Sequence, residues 1–256
     1  MSPLSLRRDP FRLLFSAAPW LGASYLLGYV LTGTVLFSVT LTAVLAAGVL
    51  SFTLAGLPLL IAAAAVVKGC ATAERWRLRG VSAEPARGGY RAVARPGLLA
   101  RLATHWRDPA IWRDLAYLVA LFAPLLVLDT TALCLWLTLL AGITLPAWYR
   151  YPHQTWAIGV SGRDTGSAHG VQLGYFPNGP HGHGAWGLYV DTLPRAIIVA
   201  VACLVLFLLF NYVLIAAARL HAAIARALLG TPEDPLRDAK EVLLHPGPLS
   251  GTPRNI

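Results

Sequence analysis

From residue 13 to residue 67 the chain contains no Asp, Glu, Lys, Arg or His. Fifty-five uncharged residues in a row would make a single helix about 80 Å long, against a bilayer hydrocarbon core of about 30 Å. The run therefore predicts two crossings joined by a turn near 46–51, where Gly48 best tolerates an unusual dihedral. A second apolar block, 115–149, is broken only by Asp129, and a third covers 196–218. Charged residues make up 13% of the chain, about half the usual share of a soluble domain. Four spans account for the deficit.

The cations set the expected orientation. Arg7, Arg8 and Arg12 precede the first span; ten Lys or Arg fall in 68–113, three in 150–195 and five from Arg219 onward. With both termini on one side, 18 basic residues share that side and three lie opposite. Retention of positive charge inside then predicts cytoplasmic termini. A net charge of +9 does not point to nucleic acid, because basic segments next to spans are explained by anionic lipid. The apolar run is also several times longer than the h-region of a cleaved signal peptide, so it reads as a retained anchor. Cys70, Cys134 and Cys203 lie in or beside spans, which indicates neither a disulfide framework nor a cysteine metal site. Arg outnumbers Lys 19 to 2, a composition that hints at a GC-rich bacterial genome.

The expected fold is an all-α integral membrane protein with four transmembrane helices near 21–44, 52–69, 116–145 and 196–218. A cytoplasmic tail, 1–19, precedes a four-span domain over 20–230. Residues 70–114 form the cytoplasmic loop, 147–194 a small β-like extracytoplasmic loop, and 231–256 a disordered cytoplasmic tail. Within the second span, Pro58 removes a backbone donor and Gly56 permits close approach, which predicts a packed kink.

The string "HWRDPAIWRDLAYL", 105–118, reads as an elbow returning the chain to lipid. Asp108 suits an N-cap and Pro109 the first helical position. Trp106, Trp112 and Tyr117 are expected in the interface, with Arg107, Arg113 and Asp114 in water.

Asp129 is the sole acid between the expected interfaces. A carboxylate there must be neutral, hydrogen-bonded or facing a cavity; Thr130, Thr131 and Asn211 are the expected local partners, and a proton- or ion-linked role is the alternative. The exterior loop has strand-like runs at 155–160, 171–176 and 184–190. It also holds His153, His169, His181 and His183, the last two within "PHGHG". Two imidazoles at i, i+2 on a strand share a face, yet no third ligand stands at a recognisable spacing, so no metal is assigned. Asp129, Trp156, His169, His181, His183 and Trp186 are the candidate ligand or stimulus residues. No paired acids and no nucleophile beside a base appear, so no catalytic residue, enzyme activity or cofactor is assigned.

"ARLHAAIARALLG", 218–230, continues the fourth span as an amphipathic helix ending at Gly230. Together with "AGLPLLIAAAAVVKGCATAERWRLRG", "DPAIWRDLAYL" and "YVDTLPRAI", it resembles the bacterial Putative sensor domain over roughly residues 20–230. That four-helix membrane domain often forms the N-terminal part of two-component sensor histidine kinases and also stands alone. The most specific matches are Glu74 and Arg75, the Asp108…Trp112-Arg113-Asp114 string, and Asp191 at the entry to the fourth span. The resemblance implies a membrane input module serving a cytoplasmic partner such as a histidine kinase. Only 26 residues follow Gly230, so a kinase domain of its own is not expected, and neither His221 nor His245 is given a phosphoryl role. A homodimer is a further expectation. The competing expectations are a small ion- or proton-coupled transporter or channel-like protein using Asp129, and a scaffold subunit.

Overall fold

The computed structural model describes residues 13, 16–53, 56–81, 89–90, 97–151, 153–157, 164–175, 184 and 186–231. The expected disordered tail, His181 and His183 lie outside them. Among the described residues, four helices are long and apolar enough to cross a membrane: α1 (Ala17–Leu50), α2 (Gly56–Leu78), α5 (Phe122–Ile143) and α7 (Leu193–Leu229). Between them stand α3 (Leu98–Trp106), α4 (Pro109–Leu115), a short α6 (Leu145–Trp148) and the strands β1 (His153–Ala157), β2 (Asp164–His169), β3 (Val171–Tyr175) and β4 (Trp186–Val190). The architecture is the expected all-α, four-helix membrane fold.

Two boundaries differ from the sequence reading. The turn after α1 begins at Ser51, not near Gly48, because an uninterrupted apolar stretch gives the helix no reason to stop earlier. The other lies between α2 and α4: α2 runs on to Leu78, in keeping with a helix that leaves the span and stops near Gly80, but α3 is helical where no helix was expected. Gly97, at φ 123°, opens α3 from a conformation that a side chain would disfavour. Asp108 caps α4 as expected, its carboxylate accepting from the Ala110 N–H at 3.0 Å, with Pro109 at the first helical position. Between α4 and α5 the chain takes one π turn, Ala116–Ala120, closed by the Leu121 N–H donating to the Ala116 carbonyl at 2.9 Å.

The chain divides into two compact units. One comprises Met1–Val35, Val81–Ala83 and Phe122–His221. Here α5 and α7 run antiparallel: Trp136 Nε1 donates to Asn211 Oδ1 at 3.0 Å, and Gly142 closes against Cys203. Trp20 of α1 stacks edge-on against Trp136, with ring centroids 5.1 Å apart, and Gly22 lets the backbone come close to Ala218. Between α6 and α7, β1 pairs with β2 and β3 with β4, each antiparallel. The β2 strand was not foreseen; "DTGSAH" has too little alternation to announce it. Gly174 and Gly187 oppose one another, at φ 140° and 145°, at a backbone approach that side chains would block. Val190 then packs with Leu145, Tyr149 and Ala196, fixing the base of the second hairpin on α6 and the first turn of α7.

The other unit comprises Leu36–Gly80, Glu84–Leu121 and Ala222–Ile256. In it α3 and α4 pack on α2 and on each other.

Candidate functional site

In the second unit, the residues singled out along α2 and α4 converge. Arg75 is 6% exposed. Its Nη2 lies 2.7 Å from Asp114 Oδ1, its Nη1 donates to Tyr90 Oη at 2.8 Å, and its Nε donates to the Leu229 carbonyl at 2.8 Å. Tyr90 in turn donates to Asp114 Oδ2 at 2.5 Å. One guanidinium thus ties α2, α4, the segment holding Tyr90 and the last turn of α7. Its planar fork makes that possible, since each of its three nitrogens reaches a distinct acceptor. Arg113 Nη1 adds a 3.3 Å bond to the Gly230 carbonyl. The final carbonyls of a helix carry partial negative charge and have no helical donor, so two arginines there both satisfy and stabilise them.

Glu74, 2% exposed, accepts from Arg77 Nε and Nη2 at 3.0 and 2.8 Å and from Tyr117 Oη at 3.3 Å. Asp114 and Tyr117 therefore do not occupy water and interface as the sequence suggested. Asp114 is 1% and Tyr117 0% exposed, because Arg75 and Glu74 supply buried partners from another helix. Trp112 is 53% exposed.

Burial sets the proton affinities. The Asp114 carboxyl is pushed above its usual value by burial, against the opposing pull of Tyr90 and Arg75. Burial and the hydrogen bond to Asp114 raise the Tyr90 phenol to about 12. Burial and the nearby Lys68 cation lower His105, whose Nδ1 lies 3.1 Å from Lys68 Nζ.

In the first unit, Asp129 and His221 form a second buried polar site, with Nδ1 2.8 Å from Oδ2 and both side chains 0% exposed. The tyrosine rings of Tyr25 and Tyr29 stand edge-on to the imidazole at 5.3 and 4.3 Å. The sequence reading looked to Thr130, Thr131 or Asn211 for Asp129's partner. Instead the Asn211 side chain accepts from Trp136 and donates to the Phe207 carbonyl at 2.8 Å. Neither His221 nor Tyr90 was singled out for these roles. The available signals were a titratable ring inside an apolar helix and the sole aromatic of an otherwise Gly-, Pro- and Arg-rich stretch.

Of the candidates between α6 and α7, those described fall on different strands. Trp156 falls on β1 and His169 on β2, where His153 and His169 are register partners. Trp186 begins β4 and is 79% exposed. Asp191 precedes α7 and pairs with Arg195 at 2.6 Å across one helical turn, on the surface. Among the described residues no three His, Cys, Asp or Glu side chains gather where a metal ion could bind.

Four long apolar helices with charged clusters buried among them define an all-α, multi-pass membrane protein. The chain belongs to the family described as Putative sensor, whose model matches residues 25–229. Glu74, Arg75, Asp108, Trp112, Arg113, Asp114 and Asp191 all lie within the match. No curated protein matches the chain, and neither does any solved structure.

Proposed function

We propose that this sensor-family protein receives a stimulus at its membrane or exterior face and passes it to a cytoplasmic signalling partner through the end of α7. Both termini lie in the cytoplasm in this reading, supported by the 18-to-3 partition of Lys and Arg. The observation that carries the proposal is the grip of Arg75 and Arg113 on the Leu229 and Gly230 carbonyls. A clamp built of discrete hydrogen bonds has two arrangements, held and released. A stimulus that favours one helix packing over the other would shift their populations. The partner is a separately encoded protein such as a histidine kinase, and the reading gives this chain no catalytic chemistry of its own.

The test is recovery of tagged full-length chain in native-lipid nanodiscs, followed by identification of co-purifying proteins. A kinase or other signalling protein should be retained, and Arg75→Ala should change its recovery. Repeated isolation without any such protein would overturn the reading. Orientation is checked separately on intact cells with an impermeant thiol reagent, which should label Ser161→Cys and spare Ala92→Cys.

A second reading, a proton- or ion-coupled carrier, draws on the Asp129–His221 pair, an acid and a base buried together in apolar helices. Loss of a measured flux in Asp129→Asn proteoliposomes, with assembly intact, is the result that would select it.

A further inference from the structure

The α3–α4 corner has an exposed chemistry that the clamp does not use. Residues 97–113 carry three arginines and one acid, Asp108. Asp108 is 2% exposed and turned inward to cap α4. The neighbouring acids Glu74 and Asp114 are equally buried, each against an arginine. Folding therefore withdraws the carboxylates, while Arg101 and Arg107 remain exposed. Beside them, Trp112 packs edge-on against Trp106 with centroids 5.9 Å apart and donates from Nε1 to the Trp106 carbonyl at 2.9 Å. Trp106 donates to the Leu60 carbonyl at 3.2 Å, which fixes the ring on α2. Leu98, Leu102 and Trp106 recur at one-turn spacing along α3, and Leu98 is 58% exposed.

We infer that the α3–α4 corner is a binding surface for anionic phospholipid headgroups, with Arg101 and Arg107 meeting the phosphates and Trp112 seated in the headgroup layer. Charge complementarity selects this occupant. A surface whose described acids are all turned inward, bearing guanidinium groups next to an exposed indole, matches a negatively charged leaflet. Guanidinium also pairs with phosphate oxygens through two donors at once, which ammonium cannot do. The site goes beyond the signalling role proposed above and does not depend on it.

The experiment places the full chain in nanodiscs of phosphatidylcholine mixed with phosphatidylglycerol, one lipid at a time carrying brominated acyl chains that quench tryptophan. Brominated phosphatidylglycerol should quench more strongly than brominated phosphatidylcholine, and the excess should vanish in Trp112→Phe and shrink with added salt. Each exposed arginine should contribute about fivefold to the preference, so the Arg101→Gln/Arg107→Gln double variant should lose most of it, while replacing both with Lys should retain part. Both side chains are exposed, so the variants should keep the fold, verified by an unchanged thermal transition. Equal quenching by the two lipids, or an unchanged preference in the double variant, would overturn the inference. So would release of a co-purifying acidic protein by that variant with the lipid preference intact, since the surface would then belong to the protein.

Discussion

The Nε of Arg75 donates to the carbonyl of Leu229, 154 residues further along the chain, at 2.8 Å. The bond joins the C-terminal end of one long helix to the last residue of another. Because the same guanidinium holds Asp114 and Tyr90, the end of α7 cannot be released without disturbing a buried ion pair. That coupling makes the cluster suited to report on helix position.

Replacing Arg75 with Ala leaves the Asp114 carboxylate buried without its cation and the Leu229 carbonyl without a donor. A loss of about 3–5 kcal/mol is expected, the usual cost of breaking a buried pair from one side. Arg75→Lys should recover only part of it, since an ammonium lacks the fork that serves three acceptors. Chemical unfolding in detergent micelles measures both, and a thiol at Leu229→Cys should become more reactive in each.

Tyr90 should remain protonated to about pH 12, where an ordinary phenol titrates at 10.0. Its folded value exceeds its unfolded one, so the stability it contributes is complete below the ordinary value and lost as pH rises through about 12. The tyrosinate difference spectrum between native protein and Tyr90→Phe isolates this group. Asp114→Asn should bring the titration down, because both contributions of Asp114 raise it while Arg75, left in place, lowers it.

For Asp114 the sign is the same. Its folded carboxyl holds the proton to higher pH than the unfolded one, so its own contribution favours the folded state below the unfolded value and fades as pH rises through the folded one. Stability of Asp114→Asn should accordingly depend less on pH across the acidic range than that of the native chain.

Asp129 and His221 should behave as one unit. Asp129→Leu or His221→Leu alone removes one half of a pair whose side chains are both 0% exposed, at about 3–5 kcal/mol. The double variant should cost less than the two together, with a coupling of about 1–3 kcal/mol in an unfolding cycle. Strict additivity would show that the two side chains do not support one another.

Gly142→Ala should force α5 from α7, since the added Cβ would overlap Cys203 Sγ. About 1–3 kcal/mol is expected for this overpacking. Cys203→Ala in the same chain should recover much of it, readable as a restored thermal transition.

The sequence and the structure agree where the local argument was strong and part where partners are distant. Asp108 could be read as a helix cap because its acceptor role is filled two residues on, at Ala110. The α3 helix was missed because "LLARLATHW" is too short for a helical period to stand clear of the Arg- and Gly-rich residues before it. Asp114 looked like a surface acid because nothing nearby in sequence announces Arg75, 39 residues earlier. Asp129 was recognised as unusual from its apolar surroundings alone, but its neighbours in sequence gave no reason to choose His221 over Asn211.

What the amino-acid order settles by itself is the count of long apolar helices and their family. Hydrocarbon length and charge spacing are properties of a linear string, and a 55-residue uncharged run has few alternatives. What only the tertiary structure decided is which charges are withdrawn from solvent and which stay outside. Pairing of Arg75 with Asp114 and of Asp129 with His221 depends on the rotation and register of packed helices, and one residue's shift turns a side chain about 100° to another face. Burial then assigns each ionisable group its role, and no linear pattern carries that information.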